Sequence, residues 1–491
     1  MLKEGPPKGL ILSTAATSRT PKSTLWQEEG LEVRLRNIPT VQEPGIIVLG
    51  APVGSEPFIR EALEAKVEKI KTITKLLPNL EDPHLEFVLL RSTLSLPKIA
   101  FFLRSVDTSP FTDLLESFDR ITREALNRII GCPVNNQQWN QAKLPVHLGG
   151  LGLRAATDHA AAAHVASLLA SETLVRQLVG AQENATFTLP QRLLDTLTIK
   201  QGEEATVETI WGLNQRNLSK KIDSNNLLLL SNQLEGDVRE SARLKSLGLP
   251  YAGAWLVSPP IPALGLHLKP VEFCTAVKLR LGCAVYDSDA PCPACQRPSD
   301  KQGDHALCCN SWGERISRHN WLRDHIFAMA ASAFLNPVKE GRFLLPGADR
   351  RPADVLIPFW EGGQDAALDV TVVHPLQAAF VAEASNTAGH ALDKAFDRKM
   401  TAAGEDCRSQ GMAFIPIAVE SFGGWHQTAV SQVKKLAACL ARQKGQEEQE
   451  AARHAFSRLA TLIQKGNANI ISNRTPTWTA ASVDGQADGD G

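Results

Sequence analysis

The spacing of hydrophobic and polar residues changes several times along the chain, and each change marks an element. Over residues 1–55, short apolar runs between Gly and Pro, such as Gly45–Gly54 (G-I-I-V-L-G-A-P-V-G), predict strands joined by turns. From Glu56 to Val257 the spacing lengthens to three and four, which predicts helices. Phe58–Leu77 follows it with Lys66, Lys69, Lys71 and Lys75 largely on other faces. Glu86–Arg104 is largely apolar and predicts a buried helix, broken or kinked near Pro97. Pro110–Ile130 comes next, then the loop His147–Arg154 (H-L-G-G-L-G-L-R), then Ala-rich Ala155–Ala170. Ser258–Gly265 predicts a linker, Val271–Gly282 a short amphipathic helix and Gly313–Ala330 a longer one.

Alternation returns in Arg350–Pro358 (R-R-P-A-D-V-L-I-P) and Ala367–Val373 (A-L-D-V-T-V-V), two short strands flanking the turn-like Glu361–Gln364. A hairpin with Trp360–Gly363 as a four-residue loop sets Asp354 opposite Asp369. Because side chains alternate faces, both aspartates leave the apolar rows of Val355, Ile357, Leu368, Val370 and Val372 and share a polar face. Like charges that close are unfavourable unless a cation or a proton offsets them. Such an oxygen-rich pair suits Mg²⁺, which can carry phosphodiester hydrolysis, and a solvated sheet face is the plain alternative. Gly411–Trp425 predicts a further strand ending in a Gly-Gly turn, followed by helices Gln427–Gln443 and Glu448–Gly466. The tail from Ser472, rich in Ser, Thr, Gly and Asp, predicts disorder.

With 491 residues the chain has room for two or three domains. A net charge of −1 and a pI near 6.9 give no global attraction to nucleic acid, so any such surface must be local. Four of the nine cysteines crowd between Cys292 and Cys309, which points to a reducing compartment and metal binding rather than a disulfide scaffold. There is no signal-peptide core and no 18-residue apolar run, so the expectation is a soluble, intracellular protein without a membrane partner. Cys292, Cys295, His305 and either Cys308 or Cys309 form a C-x2-C-x9-H-x2/3-C set, the four N/S donors that zinc takes in a closed structural site. His147, His159 and His164 read as surface and packing residues. Arg315, Arg318, His319 and Arg323 open the following helix and are expected to meet phosphates, with capping or packing the alternative for His319.

Glu340 upstream (N-P-V-K-E-G) and Lys399 downstream (A-L-D-K-A-F-D-R-K-M) join Asp354 and Asp369 in a set that resembles the inventory of restriction-enzyme-like nucleases. The pattern there is Asp, then Asp/Glu-x-Lys, but Thr371 holds the lysine place here. The arrangement is similar to the C-terminal nuclease of site-specific non-LTR retrotransposons, whose lysine lies on the next helix. Lys394 competes with Lys399 for that place, and Ala402 stands where a second basic residue is expected. The resemblance extends to L-P-x-H-L-G-G-L-G-L of the reverse-transcriptase thumb, and to Pro21–Trp26 and Val48–Gly54 as the end of a palm. It also covers the G-D-H-x-x-x-C spacing, which selects Cys309 as the fourth zinc ligand, the R-H-N helix and V-E-S-F-G-G-W.

The resemblance implies an α+β multidomain chain: palm remnant 1–55, helical thumb-like region 56–257, and linker, helix and CCHC zinc knuckle 258–330. After these come an α/β restriction-endonuclease-like core at 331–440, a C-terminal helix 441–471 and a tail 472–491. It implies a nuclear endonuclease that nicks double-stranded DNA with Mg²⁺ held by Asp354 and Asp369. Glu340 would orient the metal-bound water, and Lys399 would stabilise developing charge. An RNA template or RNA–DNA hybrid and an upstream polymerase segment are the other implied partners. No Asp-Asp dipeptide occurs in the chain, so polymerisation is not expected. The competing expectations are a non-enzymatic nucleic-acid-binding fragment and a nuclease acting on branched DNA.

Overall fold

Local signals set most element boundaries, and the computed structural model of the chain shows how they assemble. It describes residues 45–179, 188–341, 344 and 352–475, in two units, Met1–Ala62 and Leu63–Gly491. Pro21–Trp26 lies outside the described residues, as does the tail beyond residue 475.

In the first unit, β1 (Gly45–Val48) and β2 (Ala51–Gly54) pair antiparallel, Gly45 opposite Gly54. Leu49 and Gly50 both take positive φ, as a two-residue hairpin turn requires.

The second unit begins with helices, as the periodicity predicts. Asp82 caps the Pro83–Leu89 helix by accepting from the His84 and Leu85 amides. A π-turn at Leu90–Leu94 and a break at Ser95 precede helix Leu96–Ser105, close to the kink expected at Pro97. The Pro270–Leu281 helix departs from its expected amphipathic character. It is buried nearly all round, and its Arg280 guanidinium donates to the carbonyls of Gly150 (3.0 Å), Val146 (2.7 Å) and Ala252 (3.3 Å). That arginine staples the glycine-rich loop from inside, where any side chain on Gly150 would strike the Leu144 carbonyl.

A small hairpin of β3 (Ala290–Pro291) and β4 (Pro298–Ser299) follows, then a four-stranded sheet ordered β5 (Val338–Lys339), β6 (Val355–Glu361), β7 (Gln364–Val373) and β8 (Met412–Glu420). β5, β6 and β7 are antiparallel neighbours, while β8 runs parallel to β7 and is reached through helices that include His390–Lys399. Val355, Ile357, Leu368, Val370, Ile417 and Val419 make one buried face. Leu356, Ala367, Met412 and Phe414 face the opposite way with Cys407 of the crossover.

The described fold is mixed α+β. Its interior crosses the boundaries expected near residues 257, 330 and 440, because Leu126, Trp255, Phe273, Ile326, Val370 and Phe456 belong to one apolar cluster. The expected linker is pinned to the terminal helix Glu448–Asn473: Ser258 bonds Ser457 at 2.5 Å, and Arg458 donates to the Gly265 carbonyl. That helix is no appendage. Phe456, Leu459, Ala460, Ile463, Asn467 and Ile470 are all fully buried, and Tyr251 stacks on Phe456 at 3.6 Å. A helix apolar on most sides is stable only inside. No helix of the described residues is long and apolar enough to cross a membrane.

Candidate metal centre and carboxylate site

The cysteine-rich segment folds around its own turns. The Cys292 amide donates to the Arg297 carbonyl and the Gln296 amide to the Cys292 carbonyl, both at 2.8 Å, with Gln296 at φ 61°. Asp300 accepts from the amides of Asp304 (2.9 Å) and His305 (2.7 Å), and so starts the short helix Asp304–Cys308. These contacts bring one donor atom each from Cys292, Cys295, His305 and Cys309 within 4.8 Å of one another. Cys295 Sγ and His305 Nε2 are 3.3 Å apart. The group could hold a metal ion, and its three sulfurs and one imidazole are of zinc-ligand chemistry. Of the two alternatives for the fourth position, Cys309 is in the group and Cys308 is not. Burial pushes the Cys308 thiol up to about 12.

The β6–β7 hairpin reaches the expected pairing by another route. Its turn is the two residues Gly362 and Gly363, both at positive φ, closed by the pair Glu361–Gln364. A bulge between Ile357 and Glu361, with Phe359 at φ 51°, restores the register Val355–Leu368. Continued by one residue, that register sets Asp354 beside Asp369. Lys399 Nζ lies 2.7 Å from Asp369 Oδ2. Lys394 is exposed on the same helix. Thr371 is buried in the row of Asp369.

His319 completes the cluster, a position its expected phosphate contact did not suggest. Its Nε2 is 3.0 Å from both Asp354 Oδ2 and the Val370 carbonyl, two acceptors, so that nitrogen carries a proton. The signal was present in the sequence: His319 shares a helical stripe with the buried Leu322, Ile326 and Met329. Asp354 also accepts the Val370 amide at 2.7 Å. Burial pushes Asp354 up, but the His319 hydrogen bond and charge, the Val370 amide and Lys399 more than offset it, holding it below its ordinary value. Burial raises Asp369 to about 6, with the Asp354 charge adding and Lys399 opposing. Burial lowers His319, and the hydrogen bond and charge of Asp354 outweigh it, so the imidazole ends above its ordinary value.

Other expected site residues are placed differently. Arg318 is buried, with Nη1 donating to Asn467 Oδ1 at 2.6 Å, because the terminal helix covers that side. Arg323 is also buried and bridges Glu340 and Asp324. Neither guanidinium is offered to a phosphate at the surface. Arg315 turns back to the Cys308 carbonyl at 2.6 Å and to Asn310. Glu340 hydrogen-bonds its amide to the Asp354 carbonyl at 2.9 Å, but its carboxylate receives Arg323 and does not complete a three-ligand group with the two aspartates. No family model matches the chain, and no curated protein matches it either.

Proposed function

We propose that the chain is a retrotransposon-type DNA endonuclease fragment in which Asp354 and Asp369 hold Mg²⁺ and Cys292, Cys295, His305 and Cys309 hold a structural zinc. The supporting observation is the hairpin that sets the two aspartates together with Lys399 Nζ at 2.7 Å. A carboxyl held at about 6 by burial gains from a nearby cation, which fits an Mg²⁺ ligand. The bound ion would supply Lewis-acid polarisation and a more acidic water. His319 donates to Asp354 and fixes its orientation. Lys399, held beside Asp369, would offset the negative charge that develops as a water oxygen attacks phosphorus and the ester oxygen leaves. On this reading residues 331–440 are the restriction-like core, duplex DNA in the nucleus is the target, and an RNA template is a partner.

A second reading, a nucleic-acid-binding fragment without cleavage, is favoured by the Arg323–Glu340 pair, which occupies the third carboxylate. Plasmid nicking by the purified chain with and without Mg²⁺, against Asp354→Asn, tests the choice. Mg²⁺-dependent nicking by the wild type alone supports the enzyme, and duplex binding without nicking supports the second reading.

A further inference from the structure

Cys132, Cys274 and Cys283, all outside the metal group, gather where two helices end. The helix Thr112–Ile130 closes on Gly131 and the helix Pro270–Leu281 on Gly282, each glycine at φ 68°. In both, the next residue is a cysteine whose amide reaches back into the helix. Cys132 donates to the Asn127 carbonyl at 3.1 Å, and Cys283 to the Lys278 carbonyl at 2.9 Å. These matched left-handed glycine caps hold each cysteine at the same place past its helix end. The helices touch there, because Cys274 of the second donates to the Ile129 carbonyl of the first at 3.2 Å. The thiols of Cys132 and Cys283 are in hydrogen-bond contact, Cys283 donating and Cys132 accepting.

The two partners differ in access. Cys283 is buried in the apolar interior with Leu126 and Ile130, whereas Cys132 packs against that cluster and remains partly exposed. Beside it, Gly131 faces open space: a Cβ there would meet nothing within 4 Å. A small oxidant therefore has a way to one sulfur, and the second waits behind it.

We propose that Cys132 and Cys283 form a reversible disulfide when the protein meets a peroxide, and that this bond clamps the two helix ends together. A disulfide holds its sulfurs at about 2.05 Å, a short closing movement for thiols already in contact. The Cys132 thiolate attacks one oxygen of hydrogen peroxide. The O–O bond breaks, an S–OH bond forms, and the other oxygen leaves as hydroxide to become water with the thiol's proton. Cys283 sulfur then attacks Cys132 sulfur; the S–O bond breaks, and the departing hydroxide takes the Cys283 proton as a second water. The thiols lose two electrons and the peroxide gains them.

Cys274 takes no part. Its S–H is committed to the Ile129 carbonyl, and burial pushes the thiol up to about 11. The Cys283 hydrogen bond, with Lys278 and against burial, holds Cys132 below its ordinary value, and the thiolate is the form that reacts. Where thiols are kept reduced, such a pair stays open until oxidant arrives. The inference requires neither DNA cleavage nor nucleic-acid binding.

The test takes the full zinc-loaded chain, reduced and freed of reductant, treats it with a small molar excess of hydrogen peroxide, and blocks it with N-ethylmaleimide in denaturant. Tryptic digestion should give a linked pair of peptides, Ile129–Lys143 and Leu281–Lys301, with maleimide on Cys292 and Cys295 and no loss of zinc. Cys132→Ala should lose the link and Cys274→Ala should keep it. The oxidised wild type should melt a few degrees above the reduced protein and return with dithiothreitol, a shift absent from Cys132→Ala. In the reduced native protein at pH 7.5, maleimide should label Cys132 about tenfold or more faster than Cys274. If Cys132→Ala unfolds, the wild-type peptide map decides alone. Recovery of Cys132 and Cys283 unlinked after peroxide overturns the proposal, as does a link to Cys274 instead. A link that forms without raising the melting temperature overturns the clamp.

Discussion

The two aspartates of the hairpin carry opposite burdens, so the same substitution should have opposite effects on stability. Burial raises Asp369 to about 6 from an ordinary 3.8, with Lys399 only partly opposing. Ionising it in the fold therefore costs stability, and the cost grows as pH rises from about 4 to about 6. That net rise is about two pH units at ~1.4 kcal/mol each, or ~3 kcal/mol. Asparagine matches the protonated carboxyl in charge, so Asp369→Asn should be about 2–3 kcal/mol more stable than wild type at pH 7.5 without Mg²⁺. The advantage should vanish below about pH 4, where wild-type Asp369 is protonated in both states. Asp354 behaves in the reverse sense. Its folded value is depressed by His319, the Val370 amide and Lys399 against the effect of burial. The stability it contributes is present above about pH 4 and is lost as pH falls through the folded value. Asp354→Asn weakens charged hydrogen bonds of ~1.5–3 kcal/mol and should destabilise by about that amount at pH 7.5. Urea denaturation of the three proteins at pH 7.5 and pH 4, zinc retained and Mg²⁺ omitted, reads both signs. Asp369→Asn less stable than wild type at pH 7.5, or an advantage that persists at pH 4, would refute the electrostatic account of the site.

Metal analysis should find about one zinc per chain; Cys309→Ser should lose it, while Cys308→Ser, outside the donor group, should keep it. Lys399→Ala should reduce Mg²⁺-dependent nicking by about 10²-fold or more with little change in duplex affinity, and Lys394→Ala should do far less, as plasmid assays would show. Gly466→Ala should destabilise by about 1–3 kcal/mol in urea titrations, because its Cβ would stand 2.5 Å from Arg318 Cγ in a closed helix contact.

The sequence by itself determined what depends on neighbours along the chain. The C-x2-C turn, the caps and the helix spacing are short-range, and the ligand spacing named the Cys/His group that could hold a metal ion, down to the choice between Cys308 and Cys309. The hairpin was legible because strand periodicity is strict: a four-residue loop and the observed two-residue turn with a bulge give the same Asp354–Asp369 pairing. Only the tertiary structure decided which long side chains meet that pair. Lys399 rather than Lys394 reaches Asp369 because the crossover helix, fixed by its packing on β8, presents that turn. His319 reaches Asp354 while its neighbour Arg318 is buried, because the sheet covers one side of their helix and the terminal helix another. The same long-range packing put the C-terminal helix into the interior, where Phe456 and Ile463 join residues hundreds of positions away. Periodicity shows that a face is apolar; which distant element covers it is settled by how all the faces fit together.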